Sequence, residues 1–375
     1  MTDPGLGDTH LLAQYFDILR RRHLRNCEQG EVADTTLYMP PIVFDRNAHL
    51  VPRFVRVADL MWCGAGLSSF SSRPSPNSVG IPTAVYTVPV TLVSRVGGWD
   101  TGSEAIGEDM HMMLKCYFAT NGRLRVESIA SPASQCNVTT GQEGIRGWIS
   151  DHFARYAQAL RHMWGCLDTG YAVRQWCRTL RIRNSSKPES PRRHIPRANK
   201  TPLVPWRHFV LFTRLFEAHF LPIHLFLVLI ASALYTSLPY PLSSCRLLSI
   251  ALDATGYLRA GGFFAMTIYF VVFYERYHEI CVRAREHEMR KAELYHEMAH
   301  NFSHRGRWKL TTLVDYVLFP VAGTIFGSVP LFQASISHFW SENLVYLVSA
   351  KPLRKNPGQS TGPQGQDMEE SVQDV

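Results

Sequence analysis

Two kinds of pattern divide the chain. Before residue 208 apolar positions recur at helix or strand spacing between polar ones, whereas beyond it long runs lose nearly all charge. His10 to Leu24 repeats Leu11, Tyr15, Ile18 and Leu19 at spacings of three and four, which predicts a short helix. Pro82 to Val96 (PTAVYTVPVTLVSRV) is rich in β-branched residues and predicts an extended stretch. It ends at Gly97-Gly98-Trp99-Asp100, where paired glycines permit a turn closed to other residues. A helix is predicted from about Met110, with Met113, Leu114 and Tyr117 on one face, then a turn at Asn121-Gly122 and a strand over Arg123 to Ile129. Trp148 to Leu167 (WISDHFARYAQALRHMWGCL) predicts a helix opened by Ser150, with Phe153, Ala157, Leu160 and Trp164 on one face. Gln158 and Arg161, three apart, project together from another.

The second half reads as membrane helices. Phe209 to Tyr235 is long enough to cross a bilayer, which takes about 20 residues, and from Leu221 onward it holds no charge. A second run, about Thr255 to Tyr274, carries Arg259 near its start, where the side chain can snorkel to the headgroups. A third, Leu310 to about Phe332, contains Pro320, Gly323, Gly327 and Pro330, and spans with a kink or re-enters. Between the second and third, the spacing of Ile280, Val282, Met289, Leu294, Met298 and Phe302 suits an amphipathic helix on the membrane surface. The expected organisation is a soluble unit over 1–168, a basic linker over 169–208, a membrane region over 209–348 and a disordered tail over 349–375.

Composition changes this picture in three ways. The 375 residues are 46% hydrophobic and 19% charged, which excludes a charge-rich disordered polymer; the mean hydropathy of −0.10 merely averages two unequal halves. The net charge of +8 gathers between Arg174 and Arg207, directly before the first apolar run, a juxtamembrane pattern that points to a lipid bilayer and not to nucleic acid. Basic segments stay in the cytosol, so the N-terminal half is expected there, with the sequons at Asn137, Asn184 and Asn301 unglycosylated. No apolar segment follows a basic start as in a cleavable signal, and the 8 cysteines contain no CxxC pair, so they read as free thiols.

The candidate chemistry lies between the glycine turn and the linker. Glu108-Asp109 at a helix start is either a cap, satisfying free N–H groups, or a general base presented at the mouth of a site. Gln158 and Arg161, flanked by Arg155, Tyr156, His162 and Trp164, form a solvated polar face or a fork for phosphate oxygens beside an aromatic surface for a sugar ring. In this order, Gly97-Gly98-Trp99, Glu108-Asp109 and Gln158 to Trp164 followed by membrane helices, the chain resembles the membrane-bound family 2 glycosyltransferases. That group includes the cellulose, hyaluronan and chitin synthases, and Pro40 to Val57 and Ile81 to Val138 look like its fungal branch. His162 stands where the family has Trp, so Trp164 is the nearest candidate for stacking an acceptor sugar.

The resemblance implies an α/β, GT-A-like domain followed by about three transmembrane helices. It implies Asp109 as base with Glu108 beside it, Gln158 and Arg161 on the diphosphate, a nucleotide-diphosphate sugar donor, a glycan acceptor, and Mg²⁺ or Mn²⁺ on a DxD motif. Gly7-Asp8-Thr9-His10-Leu11 looks like the tail of that motif, with Leu6 in place of the first Asp, which leaves Asp8 as a lone metal candidate. The 36 residues before Leu37 are too few for a nucleotide-binding half built of several βαβ units of about 30 residues each. The chain is therefore expected to carry the acceptor-side part, truncated or mis-started at the DxD, and to be either inactive alone or an associate of a complete synthase. A rival motif, His296-Glu297-Met298-Ala299-His300 with His304 one turn on, matches the HExxH of zinc proteases. Its surroundings are crowded with His, Glu and Arg and lack the metzincin spacing, so it ranks below the transferase.

Overall fold

The computed structural model describes residues 6–30, 32–44, 46–71, 79–82, 85–99, 107–184, 205–237, 246–291, 293 and 310–341. Within them the protein is mostly helical, with two narrow sheets. Thr36–Met39 (β1) pairs in parallel with Arg125–Ser128 (β3), and Ile42–Phe44 (β2) with Ala133–Gln135 (β4). The two pairs are separate two-stranded sheets that follow one another across Pro40-Pro41. Prolines cannot donate, yet Ile129 N–H reaches Met39 O at 2.9 Å and Ala133 N–H reaches Pro41 O at 2.8 Å, continuing the backbone bonding past them. Thr87 extends the first sheet on its other edge, exchanging backbone bonds of 2.9 and 2.8 Å with Tyr38 in antiparallel sense.

Eleven helical segments surround these sheets among the described residues: α1 (Leu6–Glu28), α2 (Arg53–Ser71), α3 (Val90–Arg95), α4 (Glu108–Ala119), α5 (Gly144–Trp164), α6 (Leu167–Asn184), α7 (Pro205–His219), α8 (Leu221–Ser237), α9 (Arg246–Lys291), α10 (Leu310–Val317) and α11 (Phe319–Ser337). The expected helix at His10 to Leu24 is the longer α1, and Met113, Leu114 and Tyr117 of α4 are fully buried as their spacing requires. The extended reading of Pro82 to Val96 holds only before Pro89. That residue sits at φ −60°, ψ 138° as the N-cap of α3, and Leu92 is fully buried, so packing overrides the β preference of Val90 and Val93. The helix expected to open at Ser150 starts six residues earlier, at Gly144, and Ser150 Oγ donates instead to Gln142 Oε1 at 3.2 Å.

The main core joins β1, β3, α4 and α7 through Leu37, Met112, Met113, Tyr117, Leu124 and Leu211. A second cluster, Val57, Ala58, Ala159, Ala322 and Phe326, holds α2 and α5 against α11. A third, Cys63, Phe270, Tyr274 and Tyr316, ties α2 to α9 and α10. The glycan acceptor nitrogen of the Asn137 sequon is consumed inside the fold: Asn137 is fully buried and its Nδ2 donates to Asp59 Oδ2 at 2.6 Å.

Arg246–Lys291 and Phe319–Ser337 are each long and apolar enough to cross a membrane, and α7 with α8 makes a third if the pair counts as one bent span. These segments mark a membrane protein. The single helix expected from Phe209 to Tyr235 is two, meeting at 44°. Pro222 at the second position of α8 cannot donate the bond that would continue α7. The apolar run at Thr255 to Tyr274 and the amphipathic stretch after it are one unbroken helix up to Lys291. At about 1.5 Å per residue its 46 residues reach well beyond a hydrocarbon core of about 30 Å. The third run is α10 and α11, separated at Leu318.

Candidate functional site

The glycine turn closes α3. Gly97 and Gly98 lie at φ +90° and +91°, and Gly98 N–H donates to Val93 O at 2.9 Å. A Cβ at Gly98 would meet nothing within 4 Å, so conformation and not space demands glycine there. The turn is fastened to α4, because Lys115 Nζ donates to Gly98 O at 3.1 Å. Trp99 is exposed, its ring 5.9 Å from that of Tyr86.

Glu108 and Asp109 occupy the first turn of α4, with Gly107 as N-cap. Asp109 Oδ1 accepts the Met110 N–H at 2.7 Å, so the carboxylate does fill a capping role, and that same bond fixes its orientation. Glu108 is exposed. Partial loss of water pushes its carboxyl above the usual range, the Asp109 charge adds to this, and Arg161 opposes it; solvent weakens all three effects at an exposed group. Arg161 therefore lies within electrostatic reach of the acidic pair.

Two contacts bring the acidic turn to the end of α5. A Cβ on Gly107 would lie 3.2 Å from Gly165 Cα and 3.0 Å from Asp168 Oδ2, so backbone meets backbone where α5 gives way to α6. His111 Nδ1 sits 2.5 Å from Asp168 Oδ1, and the His111 ring packs on Tyr171 with centroids 4.5 Å apart. His111 and Asp168 were invisible to pattern reading: one looks like a helix surface position, the other like a helix cap, and only the fold pairs them.

Of the apolar row Phe153, Ala157, Leu160 and Trp164 on α5, only Trp164 is buried. Phe153 is 73% exposed, whereas Gly147, Asp151, Arg155, Ala159 and Trp164 are buried. Polar partners make this possible: Arg155 Nη2 lies 3.0 Å from Asp59 Oδ1, and Asp151 accepts from Thr140 N–H at 2.6 Å and Thr139 Oγ1 at 3.1 Å. Trp164 is 5% exposed, its ring edge-on to His338 of the chain after α11 at 4.4 Å, and its carbonyl accepts from His338 Nε2 at 3.1 Å. Gln158 is half-buried, and its Oε1 is enclosed without a hydrogen-bond partner. Arg161 is half-buried, with Nη2 3.4 Å from His162 Nε2. The structure thus brings the acidic turn of α4 against the end of α5, with Glu108 within electrostatic reach of Arg161.

Asp8 falls in the first turns of α1, and its side chain lies outside the described ones. Among the described residues no group of three or more His, Cys, Asp or Glu converges to hold a metal. The His296 to His304 motif lies outside the described residues.

Comparison with known proteins identifies a family. Residues 7–274, more than two thirds of the chain, match the family described as Glycosyl transferase family group 2. Searches of curated proteins and of solved structures found no match.

Proposed function

The chain belongs to glycosyl transferase family group 2, and on that premise we propose that it is a multi-pass membrane protein of the inverting type, moving a hexose from a nucleotide-diphosphate sugar to a polysaccharide or glycan acceptor. The observation that carries this reading is the Gly107–Gly165 contact, which seats the acidic turn of α4 against the end of α5, with the Arg161 charge reaching Glu108. Asp109 takes the proton from the acceptor hydroxyl as that oxygen attacks the anomeric carbon. The bond to the diphosphate breaks on the opposite side, and Arg161 with Gln158 receives the departing phosphate charge. Glu108 holds negative charge beside the base and keeps Arg161 aimed at the turn. The exposed ring of Trp99 is available to stack an acceptor sugar, whereas Trp164 is buried against His338. The carboxylates for the donor, and for any Mg²⁺ or Mn²⁺ bound with it, come from outside the described residues.

That last feature favours a second reading, a non-catalytic membrane partner that supplies an acceptor surface to a complete synthase. One experiment separates the two. The full chain in membranes is given a panel of nucleotide sugars, with and without a complete synthase, while nucleotide diphosphate release and glycan labelling are followed. Transfer by the chain itself should fall about 10²–10⁴-fold in Asp109→Asn, the scale for losing a general base, with donor affinity little changed. Arg161→Ala should instead weaken retention of the nucleotide diphosphate. Full rate in Asp109→Asn reduces the acidic pair to a helix cap; stimulation of the added synthase alone supports the partner reading.

A further inference from the structure

Helix α6 presents a stripe of positive charge that its own sequence does not answer. Arg174, Arg178 and Arg181 are all exposed. At about 100° per residue they fall within about 60° of arc, opposite Ala172, which is buried in the main core, and Trp176, whose ring lies 4.3 Å from that of His208. Asp168 is the one acidic residue in the sequence of α6, and it is taken by His111 at 2.5 Å. Other helices answer their arginines locally: Arg21 pairs with Asp17 on α1 at 2.5 Å, and on α9 Arg276 and Arg283 pair with Glu279 at 2.9 and 2.5 Å. Among the described residues no carboxylate does this for the α6 stripe.

The end of α11 brings the following chain to this helix. Tyr156 Oη on α5 donates to Gln333 Oε1 at 2.6 Å, and just beyond α11 His338 Nε2 lies 3.1 Å from the Trp164 carbonyl. Trp164 ends α5 and Leu167 opens α6, so His338 sits at the start of the basic helix. The sequence that follows becomes acidic. Between Lys355 and Val375 no Lys or Arg occurs, whereas Asp367, Glu369, Glu370 and Asp374 do. The 25 residues between Ser341 and Asp367 can span up to about 80 Å, and the arginine stripe ends about 20 Å along α6 from Leu167. Length is therefore no obstacle. Spacing matches as well, because Asp367, Glu370 and Asp374 recur at three and four, which is the arginine spacing of four and three read in reverse.

We infer that the acidic segment 367–374 docks on α6 of its own chain in antiparallel sense, setting Asp367 against Arg181, Glu370 against Arg178 and Asp374 against Arg174. Exposed ion pairs are individually weak and salt screens them, so no single pair would hold a separate peptide. A tether changes this, because it presents the segment at an effective concentration of about millimolar. The contact is a salt-sensitive clasp on the helix whose first turn carries Asp168, the partner of His111 on α4. It does not depend on the proposed sugar transfer.

Cys177, exposed beside the stripe, supplies the probe. In the antiparallel register position 371 faces it, so Ser371→Cys in the full chain, held in phosphatidylcholine nanodiscs at low ionic strength, should form a disulfide with Cys177 under mild oxidation. Peptide mapping should find this link in preference to one with Cys27, which is exposed on α1. The link should fall about tenfold in the Arg174→Gln, Arg178→Gln, Arg181→Gln triple variant, the scale of three exposed ion pairs, and likewise at about 1 M salt. An unchanged melting temperature checks that the triple variant keeps its fold. Glu370→Arg should restore the link that Arg178→Glu removes. Equal linking to Cys27 and Cys177, or linking indifferent to salt and to charge, would show an undirected tail and overturn the inference. A disulfide found only between two copies of the chain would do the same. Absence of the link also overturns it, and loss of binding to phosphatidylserine vesicles in the triple variant would then assign the stripe to lipid headgroups.

Discussion

The helices that carry the two halves of the site are held by opposite means. Helix α4 buries an apolar face, Met112, Met113, Leu114, Cys116 and Tyr117, in the main core. Helix α5 buries charge: Arg155 is fully enclosed with Asp59, Asn137 locks to Asp59 and to Asn47, and Asp151 is capped by Thr139 and Thr140. Burial of apolar surface is non-directional, so it places α4 but tolerates small adjustments. A network of buried charges and amides is directional, and any member left alone carries the full cost of desolvation. The acidic turn is thus carried by packing, whereas Gln158 and Arg161 follow the buried Arg155 by about one and two turns on a helix held by electrostatics.

Breaking the α5 network should have the largest effect. Arg155→Ala leaves Asp59 buried and uncompensated, a loss of about 3–5 kcal/mol, read as a lower melting temperature of the detergent-solubilised chain. The contrast sharpens in Arg155→Met combined with Asp59→Leu, where removal of both charges should recover most of that loss. A double variant as unstable as Arg155→Ala would show that α5 is held by shape and not by the ion pair.

Leu114→Ala on α4 is next. Leu114 is fully buried, and truncation should cost about 2–5 kcal/mol through lost transfer energy and a residual cavity. Because the contact is non-directional, Leu114→Met should be tolerated to within about 1.5 kcal/mol, unlike any single replacement of Arg155. Equal intolerance of both positions to conservative change would erase the distinction between the helices.

The smallest effect tests the polar contact that α4 makes with α7, at His208. Burial, with Arg207 adding to it, lowers the pKa of His208 from 6.5 to about 4, so the folded protein holds this ring neutral. The unfolded chain binds the proton first, so stability is complete above pH 6.5 and declines as the pH falls from 6.5 towards 4. His208→Phe should flatten that part of the melting-temperature profile; an unchanged slope would assign the acid loss to other groups.

How far the sequence could be read follows from these forces. Apolar periodicity announced α1, α4, the Asn121-Gly122 turn and the strand after it, because each depends on local spacing and on residues that tolerate few backbone conformations. The family was likewise legible, and the match over residues 7–274 bears it out. The buried face of α5 was misread, since Asp151 and Arg155 look like surface residues until Thr139, Thr140 and Asp59, distant in sequence, arrive to satisfy them. For the same reason α7 looked like the start of a membrane span. Its hydrophobicity is written in the chain, but the burial of Arg207, His208 and His219 against Leu124, Tyr117 and Thr169 is not. By itself the sequence determined where most of the helices lie and which segments are apolar, because propensity and hydrophobicity belong to single residues and their near neighbours. Only the tertiary structure decided that Gly107 meets Gly165, that His111 pairs with Asp168 and that α7 turns its polar side inward, because the partner that makes each burial affordable comes from elsewhere in the chain.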